Sequence, residues 1–147
     1  MIEIQYDDHA IQEALQRLLN RTGNLRPALA EIGDVLTESS KQRFETLTAP
    51  DGGHWAPNSP VTVDRKGHSR PLSGETGALM QTIHSDVVDN FTVEIGSPMQ
   101  YAAMMQFGGT TDEFPHLWGD IPGRPFLGIS DQDKADILDI IQRHLNL

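Results

Sequence analysis

Six histidines and several closely spaced carboxylates are the residues of this 147-residue chain best suited to chemistry. Imidazole and carboxylate together hold zinc or activate water. Helical metal sites need pairs such as His-x-x-x-His, and His9, His54, His68, His84, His116 and His144 show no such spacing. The best local cluster is Asp51-Gly52-Gly53-His54, where a glycine turn can bring a carboxylate against an imidazole. It supports one alternative reading, a metal-dependent hydrolase using Asp51, His54 and His116, against the commoner case of a solvated surface loop. The nucleophile elbow Gly-x-Ser-x-Gly is missing: Leu72-Ser73-Gly74-Glu75-Thr76-Gly77 has the wrong spacing and no strand before it. Gly74 and Gly77 lack the lysine that would follow in a phosphate loop. Asp112-Glu113 sit in a polar stretch where carboxylates are ordinarily just hydrated. No catalytic residue, cofactor site or metal site is assigned on this basis.

Two other segments carry more information. Ile121-Pro122-Gly123-Arg124-Pro125-Phe126-Leu127-Gly128-Ile129-Ser130 alternates residues that force an extended backbone with residues that prefer an apolar environment. Tyr101-Ala102-Ala103-Met104-Met105-Gln106-Phe107-Gly108 precedes it. A geometry this constrained, with no nucleophile beside it, builds a surface rather than runs a reaction. Arg124, between Gly123 and Pro125, is expected to pair with a carboxylate of this chain or of a neighbouring subunit. Met80, Met99, Met104 and Met105 read first as core filling and second as an adaptable binding surface.

Composition narrows the classes further. The length suits a single domain, 1–147, able to bury a core without staples. No apolar run reaches membrane-spanning length, and Glu3, Asp7 and Asp8 stand where a secretory signal carries basic residues, so no membrane association is expected. Zero cysteines exclude disulfides and thiolate chemistry and fit a reducing cytoplasm. With 21 acidic and 11 basic residues the formal charge is −10, and no Lys or Arg stands between Arg70 and Arg124. Direct nucleic-acid binding is disfavoured, because it needs clustered cations. The acidic interval reads as a solvated face, or as a surface that lies near DNA without adhering to it. Asp86, Asp89, Asp112 and Glu113 would supply that repulsion.

The elements that must position these segments follow from periodicity. Ile2 and Ile4 alternate with polar residues, as in a short strand or arm. Asp7 or Asp8 caps a first helix with Ile11, Ala14, Leu15, Leu18 and Leu19 on one stripe, and Thr22-Gly23-Asn24 stops it. A second helix runs from Arg26 or Pro27 to about Leu47, with Leu25, Leu29, Ile32, Leu36 and Phe44 as its seam. Lys41 and Arg43 complement its dipole. Thr48 to Ser73 reads as a long loop in which Trp55 seeks a surface. A turn of helix at Gly77-Ala78-Leu79-Met80 precedes strands Ile83–Val88 and Phe91–Ile95, joined through Asp89-Asn90. Phe91, Val93 and Ile95 then share the buried face. Pro98 opens a helix over Met99–Phe107. Thr110 to Asp120 is a polar loop carrying His116 and Trp118. Pro122 to Leu127 is extended and suited to a sheet edge. Ser130 or Asp131 caps a last helix with Ala135, Ile137, Leu138, Ile141 and Leu145 apolar. The class is α+β: a small antiparallel sheet against two or three helices, with one long loop excursion.

In this order the motifs resemble the phage virion morphogenesis family, the tail-completion proteins of Mu-like and P2-like phages and prophages. They are the helix ending in Lys41, Arg43 and Phe44; Asp51-Gly52-Gly53-x-Trp55-x-Pro57; and Leu72 to Leu79. Ile95-Gly96-Ser97, Tyr101-Ala102 and Gln106-Phe107-Gly108 follow, and Pro122 to Gly128 stands before the terminal helix. The stretch between Trp55 and Leu72 departs from the family in being short and poor in lysine. The resemblance implies a non-catalytic structural protein without a cofactor. It would act as a homo-oligomeric ring, commonly a hexamer, that completes or caps the tail tube and helps join it to the head. Its partners would be tail-tube and neck or connector proteins. It would reside in the bacterial host cytoplasm during assembly and in the virion tail or neck afterwards. The expected signature is Trp55, Tyr101, Phe107, Arg124 and Phe126, with Trp55 and Arg124 at interfaces and Tyr101, Phe107 and Phe126 in the core. A monomeric assembly adaptor, absent from the finished particle, is a further alternative.

Overall fold

The structure is a computed structural model that describes residues 8–58, 77–115 and 120–146. The expected arm at Ile2 and Ile4, most of the Thr48–Ser73 loop, and His116 and Trp118 lie outside those residues. The elements run α1 (His9–Thr22), α2 (Arg26–Thr46), α3 (Ala78–Gln81), β1 (His84–Asp89), β2 (Thr92–Gly96), α4 (Ala102–Phe107) and α5 (Asp131–Leu145). The class is α+β, as the periodicity implies.

Local chemistry accounts for the helix ends. Asp8 caps α1: its carboxylate accepts the Ile11 amide at 3.0 Å, and its other oxygen takes Lys134 Nζ of α5 at 2.9 Å. Gly23, at φ 70°, closes the helix in the left-handed conformation that glycine adopts without penalty. Proline occupies the first turn of α2, where its missing N–H costs nothing. That helix ends on Leu47, a non-glycine residue at φ 58°. Two contacts hold it there. Its side chain packs on the core, and its carbonyl accepts the Trp55 amide at 2.7 Å. Ser130 and Asp133 form a reciprocal capping box at the start of α5.

Strands β1 and β2 form a two-stranded antiparallel hairpin lying on α2. Its register is irregular between Val87 and Asp89. That shift leaves Phe91 in the turn, 66% exposed, instead of on the buried face with Val93 and Ile95. Two further expectations are corrected. The helix expected over Met99–Phe107 begins only at Ala102, because the Ser97 hydroxyl draws the Met99 amide into a turn. Pro122 to Leu127 does not extend the sheet; its amides are satisfied elsewhere, as described below. In α5, Ile140 is buried and Ala135 is exposed.

Two apolar clusters share α2 as their spine. One gathers α1, the first half of α2 and α5 around Leu18, Ala28, Leu29, Ile32, Ile137 and Ile141. The other gathers Phe44, Trp55, Leu79, Ile83, Ala102, Phe126 and Leu127. Between them, Gly33 lets the hairpin approach the helix: a Cβ there would lie 2.8 Å from Ser85 Cβ and 2.9 Å from Val93 Cγ2. Among the described residues no helix is long and apolar enough to cross a membrane.

Two outcomes test these packing arguments. Gly33→Ala should lower stability in urea unfolding by about 1–3 kcal/mol, because overpacking outweighs the roughly 1 kcal/mol gain in helix propensity. The Lys134 bond and the Ile11 amide lower the Asp8 pKa. Its contribution is therefore complete above the ordinary aspartate range and is lost as pH falls through the lowered folded value. Lys134→Ala should move the Asp8 midpoint upward in a carboxyl NMR titration.

Candidate interaction surface

Residues 122–128 run as a strap across the second cluster, held by side chains rather than by a sheet. Gly109 and Ile121 exchange backbone hydrogen bonds of 2.9 and 2.7 Å, closing the polar loop just before it. Pro122 and Pro125 have no N–H, so a ladder is not available to this segment. Instead the Arg124 amide donates to Met105 O at 2.8 Å. Gln106 supplies three bonds of 3.0 Å: its Oε1 accepts the Phe126 and Leu127 amides, and its Nε2 donates to Leu127 O. Trp55 Nε1 donates to Pro125 O at 2.8 Å, and Arg43 donates to Phe126 O at 2.8 Å. Among the described residues no buried side-chain nitrogen or oxygen lacks a partner.

Burial keeps Phe126 in the core as expected and differs from the expected division for the other four signature residues. Trp55 and Arg124, expected at interfaces, are buried, and Phe126 is fully buried. Trp55 stands edge-on to Phe44 at 5.3 Å between ring centroids, and Phe44 meets Phe126 at 5.5 Å. Among the described residues Arg124 meets no carboxylate of the expected kind. Its Nε donates to Ala56 O at 2.7 Å and its Nη2 to Pro57 O at 3.0 Å, tying the strap to the segment after Trp55. Burial pushes its pKa below the ordinary arginine value. Arg43 stands in the last turn of α2, where it complements the helix dipole as expected. It is also buried against Asp133 at 2.6 Å and donates to the strap carbonyl of Phe126.

Tyr101 and Phe107, expected in the core, are 43% and 62% exposed. The reason lies in α4. Its one polar side chain, Gln106, points inward with Ala102, since the strap needs it there. Helical geometry then turns Tyr101, Ala103, Met104 and Phe107 to the outer side. The result is a helix with its polar residue inside and an apolar face outside, the inverse of a surface helix. The sequence shows Gln106 only as part of the Gln106-Phe107-Gly108 motif and as the lone polar residue in Ala-Ala-Met-Met-Gln-Phe, with nothing to indicate its role in holding the strap. Met80, Met99 and Met105 pack on the second cluster.

The chemistry available elsewhere is limited. Asp51 accepts the Gly53 amide at 2.8 Å inside its own turn, and His54 pairs with Thr48 through an isolated bridge. Among the described residues no three metal-ligating side chains come together. An open cleft of about 600 Å³ separates α2 from the start of α5, with the Arg43–Asp133 pair in its wall. Among the described residues the features left for contact are the exposed apolar side chains Val88, Phe91, Tyr101 and Phe107.

Comparison with known proteins agrees. Residues 6–146 match the Phage virion morphogenesis family, and the chain belongs to that family. It is 34% identical to the Mu-like prophage FluMu G protein 2 of Haemophilus influenzae, covering all of this chain and 98% of the relative. It is 30% identical to the putative capsid assembly protein G of Escherichia phage Mu, covering 99% and 94%. It is 26% identical to tail completion protein S of Escherichia phage P2, covering 79% and 81%. No solved structure matches the chain. Family membership supports a structural role in virion assembly.

Replacing Gln106 by Leu should destabilise the fold by about 3 kcal/mol or more, since it strands two buried amides and a carbonyl. Thermal and urea unfolding would read the loss. Phe107→Ser, at an exposed position of the same helix, should leave stability nearly unchanged.

Proposed function

We propose that this protein completes the phage or prophage tail, acting as a homo-oligomeric ring at the end of the tail tube and helping to join it to the head. The observation that carries the reading is the outward apolar face of α4, which a protein working alone would have no reason to expose. The family match adds support, as do relatives named for capsid assembly and for tail completion. Its partners are then copies of itself and the tail-tube and neck proteins, and its work is non-catalytic. It carries out this work in the host cytoplasm and remains in the virion. The whole chain, 1–147, acts as one domain.

The acidic residues fit this setting. Asp86, Asp89, Asp112 and Glu113 are all exposed. Turned toward a passing genome they repel phosphate, and DNA slides by without adhering.

Deleting the corresponding gene from an inducible prophage tests the reading. The expected result is a loss of infectious particles, with heads and unjoined or irregular tails seen by electron microscopy and full rescue by the wild-type chain. Normal tailed virions in the deletion would overturn it.

A further inference from the structure

Asp51 is the one aspartate or asparagine of the chain that stands before a glycine. Glycine has no side chain to shield its amide nitrogen, so that nitrogen can reach the carboxyl carbon of the residue before it. Asp51, Gly52 and Gly53 are all exposed, at the tip of the loop that follows α2. Backbone pairing closes the loop below them. Ala49 N donates to Gly53 O at 2.8 Å, Thr48 pairs with His54, and Trp55 N donates to Leu47 O at 2.7 Å. At the tip the Gly53 amide donates to Asp51 Oδ1 at 2.8 Å, which draws the side chain back over the Asp51–Gly52 peptide. The carboxyl carbon is thereby kept on the side of the Gly52 nitrogen. One bond protects that nitrogen, its donation to Ala49 O at 2.9 Å.

We propose that Asp51 is a site of spontaneous isomerisation to isoaspartate, and that the product loosens the strap. The Gly52 nitrogen gives up its proton and bonds to the Asp51 carboxyl carbon. That carbon releases one oxygen as water, and a cyclic imide closes. Water then opens the ring at either carbonyl. Attack at the former side-chain carbon restores aspartate. Attack at the backbone carbonyl carbon of Asp51 leaves isoaspartate: the chain now runs through the side-chain methylene, and the old backbone carbonyl is the free carboxylate. One water leaves and one enters, so no oxidant, reductant or enzyme is required.

The added methylene lengthens a loop whose register is shared with the second cluster. Pro50, next to Asp51, lies against the end of the strap: a Cβ on Gly128 would come within 2.7 Å of Pro50 Cγ. At the foot of the loop Trp55 donates to Pro125 O, and the carbonyls of Ala56 and Pro57 accept from Arg124. A longer loop cannot keep both Ala49 opposite Gly53 and Leu47 opposite Trp55. Those backbone bonds and the Pro50 contact weaken together, and the strap loosens where Trp55 and Gly128 hold it. The reaction needs only the folded chain and water, so it stands apart from any role in the virion.

Ageing the purified full-length chain at physiological temperature and neutral pH tests the proposal. Samples taken over weeks are unfolded and digested with endoproteinase Asp-N, which cuts before aspartate and spares isoaspartate, and the peptides are mapped by mass spectrometry. Cleavage before Asp51 should fall progressively with no change in mass, while cleavage before the other aspartates persists. The thermal midpoint of the aged protein should drop by about 2–4 °C or more. Asp51→Ser keeps a side-chain oxygen for the Gly53 amide and cannot close the ring, so its midpoint should hold through the same ageing. A synthetic peptide of residues 47–56 gives the rate for the unfolded segment. If the peptide converts and Asp51 of the folded chain does not, the Gly52–Ala49 bond protects the site and the proposal is overturned. If Asp51 converts while the midpoint stays fixed, or Asp51→Ser loses as much as the wild type, the link to the strap is overturned.

Discussion

One buried cation organises the second half of the chain. Arg43, near the end of α2, donates to Phe126 O, Gly128 O and the Asp133 carboxylate, at 2.8, 3.3 and 2.6 Å. Burial lowers its pKa while the Asp133 charge works in the opposite direction. Asp133 also accepts the Ser130 amide, so the same carboxylate that neutralises Arg43 starts α5. Removing either partner would leave the other buried and uncompensated, a loss of about 3–5 kcal/mol. A hydrophobic pair of similar volume could match the stability. It would not define which carbonyls end the strap or which residue begins the helix.

The position of the strap decides the surface. Its two prolines deprive it of amides for a sheet, and its remaining backbone groups must still be satisfied in an apolar setting. Gln106 meets that need, together with Trp55 and Arg43. A six-residue helix whose polar side chain is committed inward has only apolar side chains left to show outward. The exposed face of α4 is therefore a consequence of interior hydrogen bonding. Gly108, at φ 75°, reinforces the arrangement: a Cβ there would come within 2.5 Å of the Gly123 amide and the Ile121 carbonyl.

The hairpin shows a related economy. Asp86 and Glu94 face each other across the strands, a pairing of like charges that weakens a two-stranded sheet. The hairpin holds because its other face lies on α2, where Gly33 permits close approach. Here Val88 and Asp86 lie on the one outward side of the hairpin, while Ser85 and Val87 turn toward α2.

Much of this was legible in the residues alone. The three long helices follow from apolar spacing and from caps that act over three or four residues, as Asp8 and Ser130 do. The hairpin follows from alternation around Asp89-Asn90, and the α+β class from their order. These signals are local, so the sequence by itself determined them. The roles of Trp55, Arg124, Arg43 and Gln106 were not legible in the same way. Arg43 resembles any cation in a last helical turn, and Trp55 any aromatic in a long loop. Their hydrogen bonds to the strap cross 70 residues for Trp55, 83 for Arg43 and 20 for Gln106. Only the tertiary structure decided which side chains went inside, because burial of a polar group is settled by the partner it meets, and those partners are distant in the chain.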